Sequence, residues 1–118
     1  MIRPDVRLQV FLCREPVDMR KSIDGLSLLV QEAMELNPFD EALFVFCNRQ
    51  RDKVKILFWE RNGFVLWYKR LERERFKWPE QLDGDVLRLS GQELNWLLDG
   101  YDISLMQPHK ALHFQSVG

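Results

Sequence analysis

The spacing of apolar and polar residues divides the first hundred positions into strand and helix signals. Residues 6–12 alternate apolar and polar side chains, which predicts a strand with one buried face. Apolar residues then recur at three- and four-residue steps, which predicts a helix that begins at Met19 and ends by Asn37, before Pro38. Asp18 stands at its N-cap position. The predicted core stripe of this helix is Met19, Ile23, Leu26, Val30 and Ala33.

The middle of the chain predicts three consecutive strands. Residues 42–47 are bulky and uncharged, which is typical of a central strand buried on both faces. Residues 53–59 and 64–71 are two further strand segments, and they flank Asn62-Gly63. This dipeptide is strongly favoured in two-residue turns, so the two segments should form a β-hairpin.

The remaining signals complete a single-domain prediction. Residues 86–89 form a short strand, and Ser90 with Glu93 matches a capping box ahead of a helix at 94–98. We therefore expect an α+β domain with a mainly antiparallel sheet of about four to five strands. One long helix should pack on the sheet, and a short C-terminal helix should follow. Positions 1–100 should be compact, and 101–118 a mostly irregular tail.

The predicted hairpin separates its side chains onto two faces. With Asn62 and Gly63 as the turn, Lys55 lies opposite Arg70 and Leu57 lies opposite Tyr68. Directly opposed like charges destabilise an antiparallel pair, so this apposition suggests an anion between the two cations. A four-residue loop would keep the two faces and change the pairs. A helix could also cover this face, because it carries leucines as well.

Charge is unevenly distributed along the chain. The net charge is −1, yet residues 49–77 hold ten basic and four acidic residues, a local charge of +6. A local positive field attracts polyanions whatever the total charge. Two further cations, Arg20 and Lys21, lie in the predicted first turn of the long helix. The candidate nucleic-acid-binding residues are Arg20, Lys21, Arg49, Arg51, Lys53, Lys55, Lys69, Arg70, Arg73 and Arg75.

Two other interpretations of this region stay open. Aromatic side chains dominate the energetics of many protein interfaces, so the hairpin could bind a protein partner instead of nucleic acid. The candidate partner-binding residues are Trp59, Trp67, Tyr68 and Trp78. The charged face could also be merely solvated, with long side chains covering it.

The sequence gives little support to an enzyme or a metal protein. It contains no nucleophile-elbow, phosphate-loop or dinucleotide-binding motif, and we expect neither catalytic residues nor a cofactor. His109 and His113 have helical spacing but follow Pro108 in predicted coil, so we expect no metal site. Cys13 and Cys47 are far apart, which suggests reduced thiols in a cytoplasmic protein. No apolar run is long enough to span a membrane.

Several motifs resemble one known family in order and spacing. Positions 18–26 read D-M-R-K-S-I-D-G-L, positions 55–59 read K-I-L-F-W, and positions 75–79 read R-F-K-W-P. The chain resembles the second-open-reading-frame (TnpB) accessory proteins of the insertion-sequence-sixty-six family of bacterial transposons. The resemblance implies a non-catalytic role in transposition, beside a larger transposase of the same element and its DNA. It implies no small-molecule substrate and leaves a homo-oligomer open.

Overall fold

The computed structural model describes residues 3, 7–79, 84 and 86–106. This part of the chain forms one five-stranded sheet and two helices. In chain order the elements are β1 (Gln9–Cys13), α1 (Ile23–Glu32), β2 (Ala42–Cys47), β3 (Lys53–Glu60), β4 (Gly63–Arg70), β5 (Val86–Leu89) and α2 (Gly91–Leu98). The predicted strand at 6–12 thus starts later, at Gln9. Most of the predicted tail lies outside the described residues.

The sheet has the strand order β4-β3-β2-β1-β5 and is mostly antiparallel. The α+β prediction is confirmed. One pair, β1 and β2, is parallel, with Gln9 aligned to Ala42 and Leu12 to Val45. A parallel pair needs a crossover connection, and α1 lies in that connection.

The two helices cover opposite faces of the sheet. On the α1 face, Leu26 and Val30 pack with Phe44, Phe46 and Leu57. On the α2 face, the buried leucines of α2 belong to a core with side chains of β1, β2 and β3. All six residues of β2 are buried, as expected for a central strand. The capping box predicted at Ser90 is present at the start of α2.

Helix α1 is shorter than the pattern predicted, at both ends. It begins at Ile23 with Ser22 as N-cap, so Asp18 is not the cap and Arg20 and Lys21 precede the helix. At the other end Glu35 adopts a left-handed conformation, with φ +56°. The Leu36 amide reaches back to the Val30 carbonyl at 2.9 Å, which ends the helix before Pro38. Ala33, which was predicted to lie in the core stripe, is exposed.

The hairpin turn also differs from the prediction by one residue. Arg61 and Asn62 form the loop, and Glu60 pairs with Gly63. The Asn62 amide donates to the Glu60 carbonyl at 2.6 Å, and Arg61 takes φ +57°. The predicted apposition of Lys55 and Arg70 is therefore wrong, since the register moves by two positions. A shift of two leaves every side chain on its predicted face.

Candidate nucleic-acid interface

Three chain segments meet at the end of the sheet farthest from the hairpin turn. Segment 14–21 follows β1, and its Val17 amide donates to the Cys47 carbonyl at the end of β2, at 2.8 Å. Segment 48–55 is joined to segment 69–77 by the Leu71 amide, which donates to the Asp52 carbonyl at 2.8 Å. The Arg75 guanidinium also donates to the Gln50 carbonyl. We call these three segments the basic end.

The charge of the basic end is strongly positive. Its three segments contain 12 basic and 5 acidic residues, a net charge of +7. The rest of the chain contains 5 basic and 13 acidic residues, a net charge of −8. All ten cations predicted from the sequence fall within these segments. The structure also adds Arg14 to these segments, because segment 14–21 follows β1 and bonds to the end of β2.

The α1 face of the hairpin carries part of this charge. Lys53 pairs with Arg70 across the two strands, and Lys55 pairs with Tyr68. The Lys55 ammonium lies 5.9 Å from the centroid of the Tyr68 ring. Lys69 points to the α2 face instead, where its ammonium donates to the Leu98 carbonyl at 2.7 Å. Burial lowers the pKa of Lys69. Lys69 therefore bonds the last residue of α2 and does not lie with the other cations on the α1 face.

A surface cleft of about 860 Å³ opens beside these strands. It is lined by segment 16–20, by residues 48–50, and by side chains of β3 and β4. The side chains from the two strands are Lys53, Lys55 and Tyr68. Arg20 and Arg49 add two more cations, and Asp18 is the acidic lining residue. We call this surface depression the cleft.

Lys55 fixes the loop that forms one wall of the cleft. Its ammonium donates to the carbonyl of Met19 at 2.8 Å and to that of Lys21 at 2.9 Å. An ammonium has three N–H donors, so one remains for another acceptor. In the same loop Arg20 donates to both carboxylate oxygens of Asp18. These bonds hold the pKa of Asp18 at about 2, so its carboxylate stays charged beside a matched cation.

Carboxylates of the chain neutralise only part of the basic end. Arg70 pairs with Glu72 at 2.8 Å, and Lys53 pairs with Asp52 at 3.3 Å. Lys21, Arg49 and Arg73 are exposed and form no ion pair with any residue in the described part of the chain. Positive charge thus remains available at this surface.

The four aromatic residues predicted as partner contacts do not form one surface. Trp78 is 6% exposed, and its indole donates to the Cys13 carbonyl at 3.2 Å, with Arg51 stacked 5.6 Å from the ring centroid. Trp67 packs against the core on the α2 face. Tyr68 is exposed and lines the cleft. Only Trp59 remains at the other end of the hairpin.

The sequence reasoning missed a cluster around Trp59. Its ring lies 5.0 Å from the rings of both Phe39 and Phe64, and those two lie 5.2 Å apart. Phe39 is 52% exposed although it is a large apolar side chain. The signal in the sequence was Phe39 itself, an aromatic residue in the polar stretch after Pro38. We call these three residues the aromatic cluster.

A family model described as IS66 Orf2 like protein matches residues 8–108. The chain belongs to this IS66 Orf2-like family. Two proteins of Sinorhizobium fredii are similar over 102 residues, and both carry the description uncharacterized protein. The first, y4hO, is 36% identical over 86% of this chain and 88% of its own length. The second, y4jC, is 33% identical over 86% of each chain. No solved structure matches.

Membership in the IS66 Orf2-like family assigns the protein to transposition, as an accessory and non-catalytic component. Among residues 3, 7–79, 84 and 86–106, no three His, Cys, Asp or Glu side chains form a group that could hold a metal ion. His109 and His113 lie outside these residues. The helices that the structure describes are too short or too polar to cross a membrane.

Proposed function

We propose that this IS66 Orf2-like protein binds the DNA of its element, alone or together with the transposase, through the basic end. The observation that carries the proposal is the meeting of three distant segments with 12 basic and 5 acidic residues. Basic residues that cluster by tertiary folding produce a directed field, which attracts a polyanion even when the net charge is −1.

Phosphate contacts would supply most of the affinity. Exposed cations such as Lys21, Arg49 and Arg73 need not break an ion pair within the described chain to reach a phosphate. About five phosphate contacts would give a slope near −4.5 for the logarithm of affinity against that of salt concentration. Affinity would then fall roughly 500-fold between about 50 and 200 mM salt. Such contacts carry little sequence information, so all DNA sequences should be affected alike.

A salt titration of DNA binding with the purified protein tests the proposal. The double variant Arg49→Ala/Arg73→Ala should weaken binding and flatten the salt slope by about 2. Arg88→Ala is the matched control, because Arg88 is an exposed cation outside the three segments of the basic end. It lies on β5, the edge strand opposite β4. If the protein shows no DNA affinity at 50 mM salt, with or without the transposase, the proposal is wrong.

The aromatic cluster favours a second candidate function, direct contact with the transposase. An exposed phenylalanine supported by two further rings offers a preordered apolar anchor of the kind that dominates protein interfaces. Trp59 stands four positions after Lys55, the last residue of the basic end on β3, so the cluster lies about 13 Å along the strand from the basic end. Both contacts can therefore form at the same time, and the protein would bridge transposase and DNA.

A further inference from the structure

The cleft differs from the rest of the basic end because it is concave and contains an accessible aromatic ring. Tyr68 is 45% exposed and lies among the cationic side chains that line the cleft. The cleft has a volume of about 860 Å³ and is open to solvent. A flat basic surface would be sufficient for phosphates alone. The exposed ring provides an additional apolar surface that phosphates do not use.

Double-stranded DNA cannot use this ring. In a duplex the faces of the bases are stacked on one another, and only groove edges and phosphates are accessible. An unpaired nucleotide exposes the face of its base, and proteins that bind single strands stack such bases on aromatic side chains within a positively charged groove. The cleft combines these two features, with Tyr68 next to Lys53 and Lys55.

The charges in the cleft are arranged to accept a phosphate next to the ring. The Lys55 ammonium donates two of its N–H groups to the loop carbonyls and retains the third. Its nitrogen lies 5.9 Å from the centroid of the Tyr68 ring. Arg49 is exposed and also lines the cleft. The acidic lining residue Asp18 is already bonded to Arg20, which offsets its repulsion of a phosphate.

We infer that the cleft binds an unpaired nucleotide of single-stranded DNA, with the base stacked on Tyr68 and the adjoining phosphate held by Lys55 and Arg49. The inference rests on the proposed DNA binding and adds a strand preference to it. The protein should therefore bind single strands, and duplexes with single-stranded overhangs, more tightly than blunt duplexes of the same length.

The test compares a fluorescent 15-nucleotide thymine oligomer with a blunt 15-base-pair duplex, at the same salt concentration and with the full chain. Tyr68→Ala should weaken binding of the single strand about tenfold and change duplex affinity less than twofold. Tyr68→Phe should retain single-strand affinity, because it keeps the ring. Tyr101→Ala is the matched control, since Tyr101 is also exposed but lies outside the cleft.

The outcomes separate this inference from the proposed function. If Tyr68→Ala leaves single-strand affinity unchanged while duplex binding keeps its salt dependence, the cleft does not bind a base, and DNA binding by the basic end stands. Equal losses for single strand and duplex also contradict base stacking. If neither DNA binds at 50 mM salt, the proposed function and this inference are both wrong.

Discussion

Lys55 shows how one side chain can be both a charge and a structural support. Its ammonium bonds the carbonyls of Met19 and Lys21, which lie 36 and 34 residues away in the sequence. In a helix beginning at Met19, those two oxygens would accept the amides of Ile23 and Gly25. The long-range bonds therefore compete with the first helical turn. Segment 18–21 is a loop that contributes to the lining of the cleft.

Cys47, at the end of β2, is fully buried. Burial raises the pKa of its thiol from about 9 to about 11, because a thiolate would lose its hydration there. Below pH 9 the folded and unfolded chains both keep the proton. Between pH 9 and 11 the unfolded chain releases it and the folded chain does not, so the free energy of unfolding falls as pH rises.

We predict that Cys47 contributes about 2 kcal/mol of this loss by pH 10.5. Urea unfolding of the wild type and of Cys47→Ala from pH 7.5 to 10.5 measures it. The variant has a smaller side chain in the core and should start less stable, but it lacks the thiol. The difference in the free energy of unfolding between the wild type and Cys47→Ala should therefore shrink as pH rises. A difference that stays constant across this range contradicts the prediction.

The two helices start in different ways, although a serine is the N-cap of each. In α2 the Ser90 hydroxyl accepts the Glu93 amide at 3.1 Å, and the Glu93 carboxylate accepts the Ser90 amide at 2.9 Å. In α1 the Ser22 side chain makes no capping bond. The two serines can be compared within one protein, because only Ser90 accepts a hydrogen bond from a helix amide.

We predict that Ser90→Ala lowers the free energy of unfolding by about 1 kcal/mol, the usual cost of losing a side-chain cap. Ser22→Ala should change it by less than about 0.5 kcal/mol, since no bond is lost. Urea denaturation of both variants measures the difference. Equal effects at the two positions would show that the cap on α2 contributes nothing.

Local patterns located most elements but not the contacts between them. The sequence predicted the bounds of β2 and β5 and the capping box of α2 correctly. These features depend mainly on residues that are close together in the sequence. The loop before α1 is bonded by Lys55, which no window around Met19 contains. In the hairpin the loop is Arg61-Asn62 instead of Asn62-Gly63, and the Asn62 amide donates to the Glu60 carbonyl. A one-residue displacement of the loop was enough to exchange the partners of Lys55.

The candidate site was predictable in composition and only partly in shape. The excess of basic residues between Arg49 and Lys77 is visible in the sequence. The addition of segment 14–21 is not, because it depends on the parallel pairing of β1 with β2. That pairing places the ends of both strands at the same edge of the sheet. The cleft exists only because the two regions meet there.

At the scale of the whole molecule, charge and exposed aromatic surface occupy different places. The basic end carries a net charge of +7, while Trp59 of the aromatic cluster lies about 13 Å beyond Lys55 along β3, near the hairpin turn. A protein that only coated DNA would need the first surface alone. A protein that joins DNA to a transposase needs both surfaces, and needs them far enough apart that neither partner blocks the other.

Separate variants of the two surfaces should therefore lose separate activities. Phe39→Ser removes the exposed ring of the aromatic cluster, and it should abolish co-purification with the transposase after nuclease digestion while leaving DNA affinity within twofold. Arg49→Ala/Arg73→Ala should do the reverse. Leu105→Ser is the control for removing an exposed apolar side chain, because Leu105 is 81% exposed and lies outside the cluster. If the transposase is lost from the wild-type protein whenever DNA is digested, then DNA alone holds the two proteins together, and the aromatic cluster is not their contact.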